Sequence, residues 1–311
     1  MIRENEKFLG NRQNLLLKRG FDNRRLNEVT KHFLDSLPLP KVSKNYPDTL
    51  LKEAVAYSIR EDLPLVLVST VCPSYSADAD GVPTYEDLET GISPNIQRHF
   101  DHLVPAVKDL MITGVPIIHF FLMADTELDL LPFLKKLNIS PNEFTRRSQE
   151  SVNLIAQKVV DNYGKDIYRD TPAAARFLNY FGFDIWYNRY NHFLNRLTHE
   201  AQNEPQGRIA RGLDLDYRER KILIEKLLGS VTRDEGIRHI ARQKAQYMAF
   251  ASLMREKFGK RLVVANHRTP NFSWMNDRIT REPNDPRQLA SGNYLDKLPL
   301  IELDISTLPK G

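Results

Sequence analysis

The sequence predicts an α/β fold: an open, mainly parallel, Rossmann-like sheet carrying a large helical insertion. Three observations predict it. Two short and nearly continuous apolar runs, LPLVLVSTVC at 63–72 and PIIHFFLMA at 116–124, have the branched-residue character of strands buried on both faces. A helix-period segment from Pro94 to about Met111 joins them, and strand, helix, strand at that spacing is a right-handed crossover between parallel strands. Residues 140–258 then keep a helical period almost throughout, before strand character returns in RLVVA at 261–265 and LPLIELDI at 298–305.

The elements follow in order. Within the first sixty residues Leu50, Leu51, Ala54, Val55 and Ile59 share one helical face, and Pro38, Pro40 and Pro47 divide the region into short helices, a helical collar. Pro73 stops the first strand. The crossover helix carries an apolar stripe of Ile96, Phe100, Leu103, Val107, Leu110 and Met111, with Pro105 placed to kink it and Gly114 to end it. Three helix entrances are marked beyond it. Ser140-Pro141 with Glu143 and Thr232 with Glu235 have capping-box spacing, and Thr171-Pro172 offers a cap followed by a proline at the first helical position. Gly259 closes the last helix. The expected division is a collar over 1–60, a Rossmann-like core built from 61–139 and 259–311, and a helical insertion over 140–258, with a long polar connection over 266–297.

Composition removes several classes. The apolar runs fall well short of the roughly 20 residues a membrane-spanning helix needs, and the start alternates charged with apolar residues, unlike a signal peptide. Cys72 is the single cysteine, so no disulfide forms within the chain and a reducing, cytoplasmic setting is expected. Lys+Arg 44 against Asp+Glu 40 leaves a formal charge of +4, which permits a nucleic-acid partner without favouring one.

In an open parallel sheet ligands bind beyond the carboxyl ends of the strands, so the residues just after each apolar run are the candidates. Ser74 and Tyr75 follow the first run, Asp125 and Glu127 the second, and His267, Arg268 and Asn271 the third. Paired carboxylates can bind an ammonium, act as base or hold a divalent ion, and an imidazole beside a fixed cation tends to stay neutral near pH 7. Ser93 caps the crossover helix and Arg98 lies one turn in, an anion-receptive start that has only Gly91 and is neither a multiple-glycine phosphate loop nor a dinucleotide fingerprint. Asp78 and Asp80 form a D-x-D pair of the kind that holds a divalent ion in glycosyltransferases. His99 and His102 read as packing residues, His119 as a hydrogen-bonded core histidine, and the aromatic run 177–193 as a helix pair packed on the sheet. No metal or other cofactor is expected.

The order of segments, ending in YMAFASLMREKFGKRLVVANH at 247–267, resembles the isocyanide (isonitrile) synthase family over under half the chain. Two turns differ: Met123-Ala-Asp125-Thr stands where the family has Ser-Asp-Gly, and VVANH where it has Leu-Ser-Ile-His. The resemblance implies an enzyme that joins an amino-acid amine to a carbon from a pentulose phosphate without a metal, and it points to Asp125 and His267. A small-molecule transferase or synthase acting on an anionic or amino-acid-like substrate is therefore the leading expectation. Its rivals are an RNA-binding or interaction protein without catalysis, using Arg, Lys, Tyr and Phe of the helical region, an aminoacyl-tRNA-using transferase on the same frame, and a metal-dependent glycosyl transferase.

Overall fold

A computed structural model of the chain describes residues 23–35, 48–71, 75–77, 83–85, 92, 94–125, 134, 138–168, 170–267, 287 and 300–303. Two helices come first, α1 (Asn23–Asp35) and α2 (Asp48–Glu61). They lead into β1 (Leu65–Val71), a small hairpin of β2 (Tyr75–Ala77) and β3 (Pro83–Tyr85), the crossover helix α3 (Pro94–Ile112) and β4 (Ile117–Met123). The helical stretch holds α4 (Pro141–Tyr163), β5 (Ala174–Arg176), α5 (Phe177–Phe181), α6 (Phe183–Asn203), α7 (Arg208–Leu228) and α8 (Arg233–Phe258). A single turn, Gly259–Arg261, then delivers the chain to β6 (Leu262–His267), and β7 (Leu300–Leu303) follows.

The fold is Rossmann-like α/β. Five strands pair in the order β5-β4-β1-β6-β7, every pair parallel, in an open sheet. β1 is central and all seven of its residues are buried, which matches its unbroken apolar run. Strand alternation sorts the core into two faces. On one, Leu65, Leu67, Ile117, Val263 and Ala265 pack against Val29 and Phe33 of α1, Leu51, Val55 and Ile59 of α2, and Leu103 and Val107 of α3. Toward the strand ends that face continues through Val71, Phe121 and Met123 onto Ile96 and Phe100 of α3 and Val152, Ile155 and Val159 of α4. On the other face, Val66, Val68, Phe120, Leu122 and Val264 meet Phe177, Trp186, Tyr190 and Phe193 and the long apolar side of α8.

Two entrances form as their spacing predicts. Ser140 Oγ accepts the Glu143 amide at 3.1 Å, and Thr232 and Glu235 make a reciprocal capping box. The third does not. Behind Thr171-Pro172 the chain is extended, and Ala174–Arg176 pairs with β4 from Phe121↔Ala174 to Met123↔Arg176 before α5 starts. Alanine favours a helix by propensity, but the outer edge of β4 needs hydrogen-bond partners. Phe121 N–H donates to the Ala173 carbonyl at 3.0 Å, so tertiary pairing overrides the local preference. The sheet thus takes an edge strand from within the stretch read as helical.

α7 packs on α6 and α8 through Leu213, Tyr217, Ile224, Ile240 and Ala241. A fully buried ion pair, Lys244 Nζ to Asp216 Oδ2 at 2.9 Å, ties α8 to α7, and the same ammonium donates to the Arg287 carbonyl at 2.8 Å. Gly236 lies against the Tyr217 ring so closely that an added Cβ would fall 2.1 Å from a ring carbon.

Candidate site at the carboxyl edge of the sheet

All five strands point the same way, so their carboxyl ends form one edge. From β1 the chain moves outward to β4 and then β5; it returns to lay β6 on the other side of β1, and β7 beyond it. The direction of winding therefore reverses between β1 and β6, and the crevice outside such a reversal is where open α/β sheets bind ligands. The strand ends stand nearly level there. Val71 pairs with Met123, and Met123 with Arg176. β1 and β6 run in register from Val66↔Leu262 to Ser69↔Ala265, and two further residues along bring Val71 and His267 level.

Of the residues the sequence singles out, Asp125 and His267 come to this edge. His267 ends β6, paired with Leu303, and Asp125 lies two residues beyond β4. Strands are spaced about 4.8 Å apart, so β4 and β6, on either side of β1, are about 10 Å apart. The backbone positions of Asp125 and His267 thus stand too far apart along this edge to share one atom. Tyr75 opens the hairpin strand β2 shortly after β1, and Arg98 sits early in α3; for both the backbone position is what is described. Ser74, Ser93, Glu127, Arg268 and Asn271 lie outside the described residues, as do Cys72, Asp78 and Asp80.

Asp125 is the one candidate whose side-chain surroundings are described. Its side chain is 1% exposed; Oδ2 accepts from Arg176 Nε at 2.8 Å and Oδ1 from the Leu178 amide at 2.9 Å. The carboxylate therefore joins the end of β4 to the end of β5 and to the first turn of α5. Burial raises its pKa above the ordinary carboxylate value, outweighing the Leu178 amide and the Arg176 guanidinium, which both pull it down. Arg176 is the residue at this edge that sequence reading missed. Its partner lies 51 residues away across a strand pairing that the sequence does not announce.

The histidines divide as follows. His119, 1% exposed, faces the core with Nε2 2.7 Å from Ser69 Oγ and Nδ1 2.8 Å from the Tyr163 hydroxyl, the hydrogen-bonded core histidine its strand context predicts. Burial drives its pKa down to about 3. Tyr168 adds a hydroxyl bond of 2.9 Å to the His119 carbonyl. His99 is fully buried beside the edge of Phe121. Among the described residues no three His, Cys, Asp or Glu side chains converge as a metal site requires, and no helix is long and apolar enough to cross a membrane.

No family model matches the chain, and no curated protein is significantly similar to it. Among solved structures, a tryptophanyl-tRNA synthetase from the hyperthermophilic archaeon Aeropyrum pernix K1 is similar at 12% identity and a TM-score of 0.35, over 83% of this chain and 49% of its own. The chain spans about half the length of that enzyme. The fold accordingly rests on the strand order and register above.

Proposed function

We propose that the chain is a small-molecule transferase or synthase acting on an amine-containing, amino-acid-like substrate, with a phosphorylated co-substrate as in the isocyanide synthases it resembles. The strand order supports this reading: a reversal such as that between β1 and β6 is where open α/β sheets bind ligands, and His267 ends the strand beside it. An imidazole in that position takes the proton from a substrate ammonium, and the freed amine attacks a carbonyl carbon, forming the C–N bond with loss of water. In this scheme Glu127 is the carboxylate that meets the ammonium. Asp125, with both oxygens engaged inside the protein, works by holding its neighbours in place.

The test is turnover of amino acids with a pentulose phosphate, followed by product mass and by calorimetric binding of each reactant. His267→Ala should lower turnover by about 10²–10⁴-fold, the range for removal of a general acid or base. Its thermal midpoint should stay near that of the parent protein, since the residue ends a strand. Wild-type protein that neither binds an amino acid nor forms product would overturn the reading.

A further inference from the structure

Arg176 closes β5 with its side chain 13% exposed, against 1% for its partner Asp125. A guanidinium carries five N–H donors in a planar fork. Here Nε is committed to Asp125 Oδ2 at 2.8 Å, and among the described residues nothing engages Nη1 or Nη2. Neither terminal nitrogen is among the buried side-chain atoms left without a partner, so both reach solvent, where an acceptor on a ligand can meet them. The location is specific. Arg176 pairs with Met123, and Met123 packs with Val71 of β1 and Ile96 in the first turn of α3, so Arg176 stands at the carboxyl edge on the face where the crossover helix begins. The Asp125 carboxylate, itself fastened by the Leu178 amide, fixes the guanidinium by its Nε side. Nη1 and Nη2 together can grip two oxygens of one group, which lysine cannot do.

The geometry points to Arg176 as the anion-binding residue of the carboxyl edge, its two terminal nitrogens taking an oxyanion of the ligand, phosphate or carboxylate, while Asp125 acts as its positioning residue. This rests on the reading of that edge as the ligand face. It adds which end of the ligand lies over β5: the anionic end, with the reacting amine toward His267.

The experiment follows the arginine side-chain N–H resonances of the ¹⁵N-labelled full chain during titration with inorganic phosphate and, separately, with propionate. Arg176 is assigned by its loss in Arg176→Gln. A saturable shift of Arg176 with one probe is expected, and the probe that saturates identifies the oxyanion; saturation by both means a site for either. Arg176→Lys, which keeps the charge and loses the fork, should weaken binding about tenfold, and stands in for Arg176→Gln should the latter not fold. Asp125→Asn should weaken it several-fold and broaden the Arg176 Nε signal, a change that a purely structural role at Leu178 would not produce. Absence of a saturable Arg176 shift with both probes, or unchanged binding in Arg176→Lys, overturns the proposal. If His267→Ala still abolishes turnover in that case, only the anion role is lost and the catalytic reading stands. If Arg176 binds an oxyanion and no reactant pair turns over, the reverse holds.

Discussion

His119 couples the stability of the sheet to pH through one imidazole. Buried between Ser69 and Tyr163, it stays neutral down to about pH 3, whereas in the unfolded chain it takes a proton near its ordinary value of 6.5. Between those values the unfolded chain binds the extra proton, so acidification across this window favours unfolding, by about 1.4 kcal/mol for each pH unit at full slope. Above pH 6.5 the effect is absent. His119→Gln keeps a hydrogen-bonding side chain without the titration, and urea midpoints measured from pH 7 to 4 should fall less steeply in that variant by about one proton's worth. A parallel fall in the two proteins would mean that the imidazole is protonated in the fold. At this scale much was legible: the core role of His119 follows from its place in PIIHFFLMA, and Asp125 follows from its place after that run. What was not legible is Asp125's partnership, because Arg176 and the Leu178 amide reach it only once an unforeseen strand has paired.

Elements with a strong local signature appear where the sequence puts them. β1 and β4 are the cores of the two apolar runs, α3 ends at Gly114 with positive φ, and α8 starts in its capping box and ends at Gly259. β5 has no such signature. Three residues, two of them alanine, acquire strand geometry only from the edge they cover. The close approach of α7 and α8 is likewise invisible in a single sequence, since Gly236 reads as a mild defect near a helix start until Tyr217 is seen against it. Tyr217 is 5% exposed and packed with Leu213 and Ile240, so its ring has little room to swing away. Gly236→Ala should therefore destabilise the protein by about 1–3 kcal/mol despite alanine's better helix propensity. Combining it with Tyr217→Leu should recover part of that loss, and the non-additivity is read from a double-mutant cycle of urea midpoints. Simple additivity would place the ring elsewhere.

For the whole molecule, class and parallel sense were legible, because they follow from runs buried on both faces and the crossover length between them. Strand order was not: nothing in RLVVANH says that it returns to the flank of β1. That order decides where the winding reverses, so Asp125 and His267 were legible as strand-end residues while the position of the reversal between β1 and β6 was not. It also sets a schedule for biosynthesis. Thr70 Oγ1 donates to the Ala265 carbonyl across a separation of 195 residues, and the backbone of β1 on that side finds its partner only when β6 arrives. At a ribosomal pace of about 5–20 residues per second, the innermost strand waits roughly 10–40 s with one flank open. A nascent chain halted before Leu262 therefore exposes a seven-residue, mainly apolar β-edge, the kind of template on which chains stick to one another. Such truncated chains should pellet when translated without chaperones and remain in solution when a holdase is added, whereas the full-length chain should need far less assistance; equal solubility of the two would show that the helices already shield β1 before its last neighbour is made.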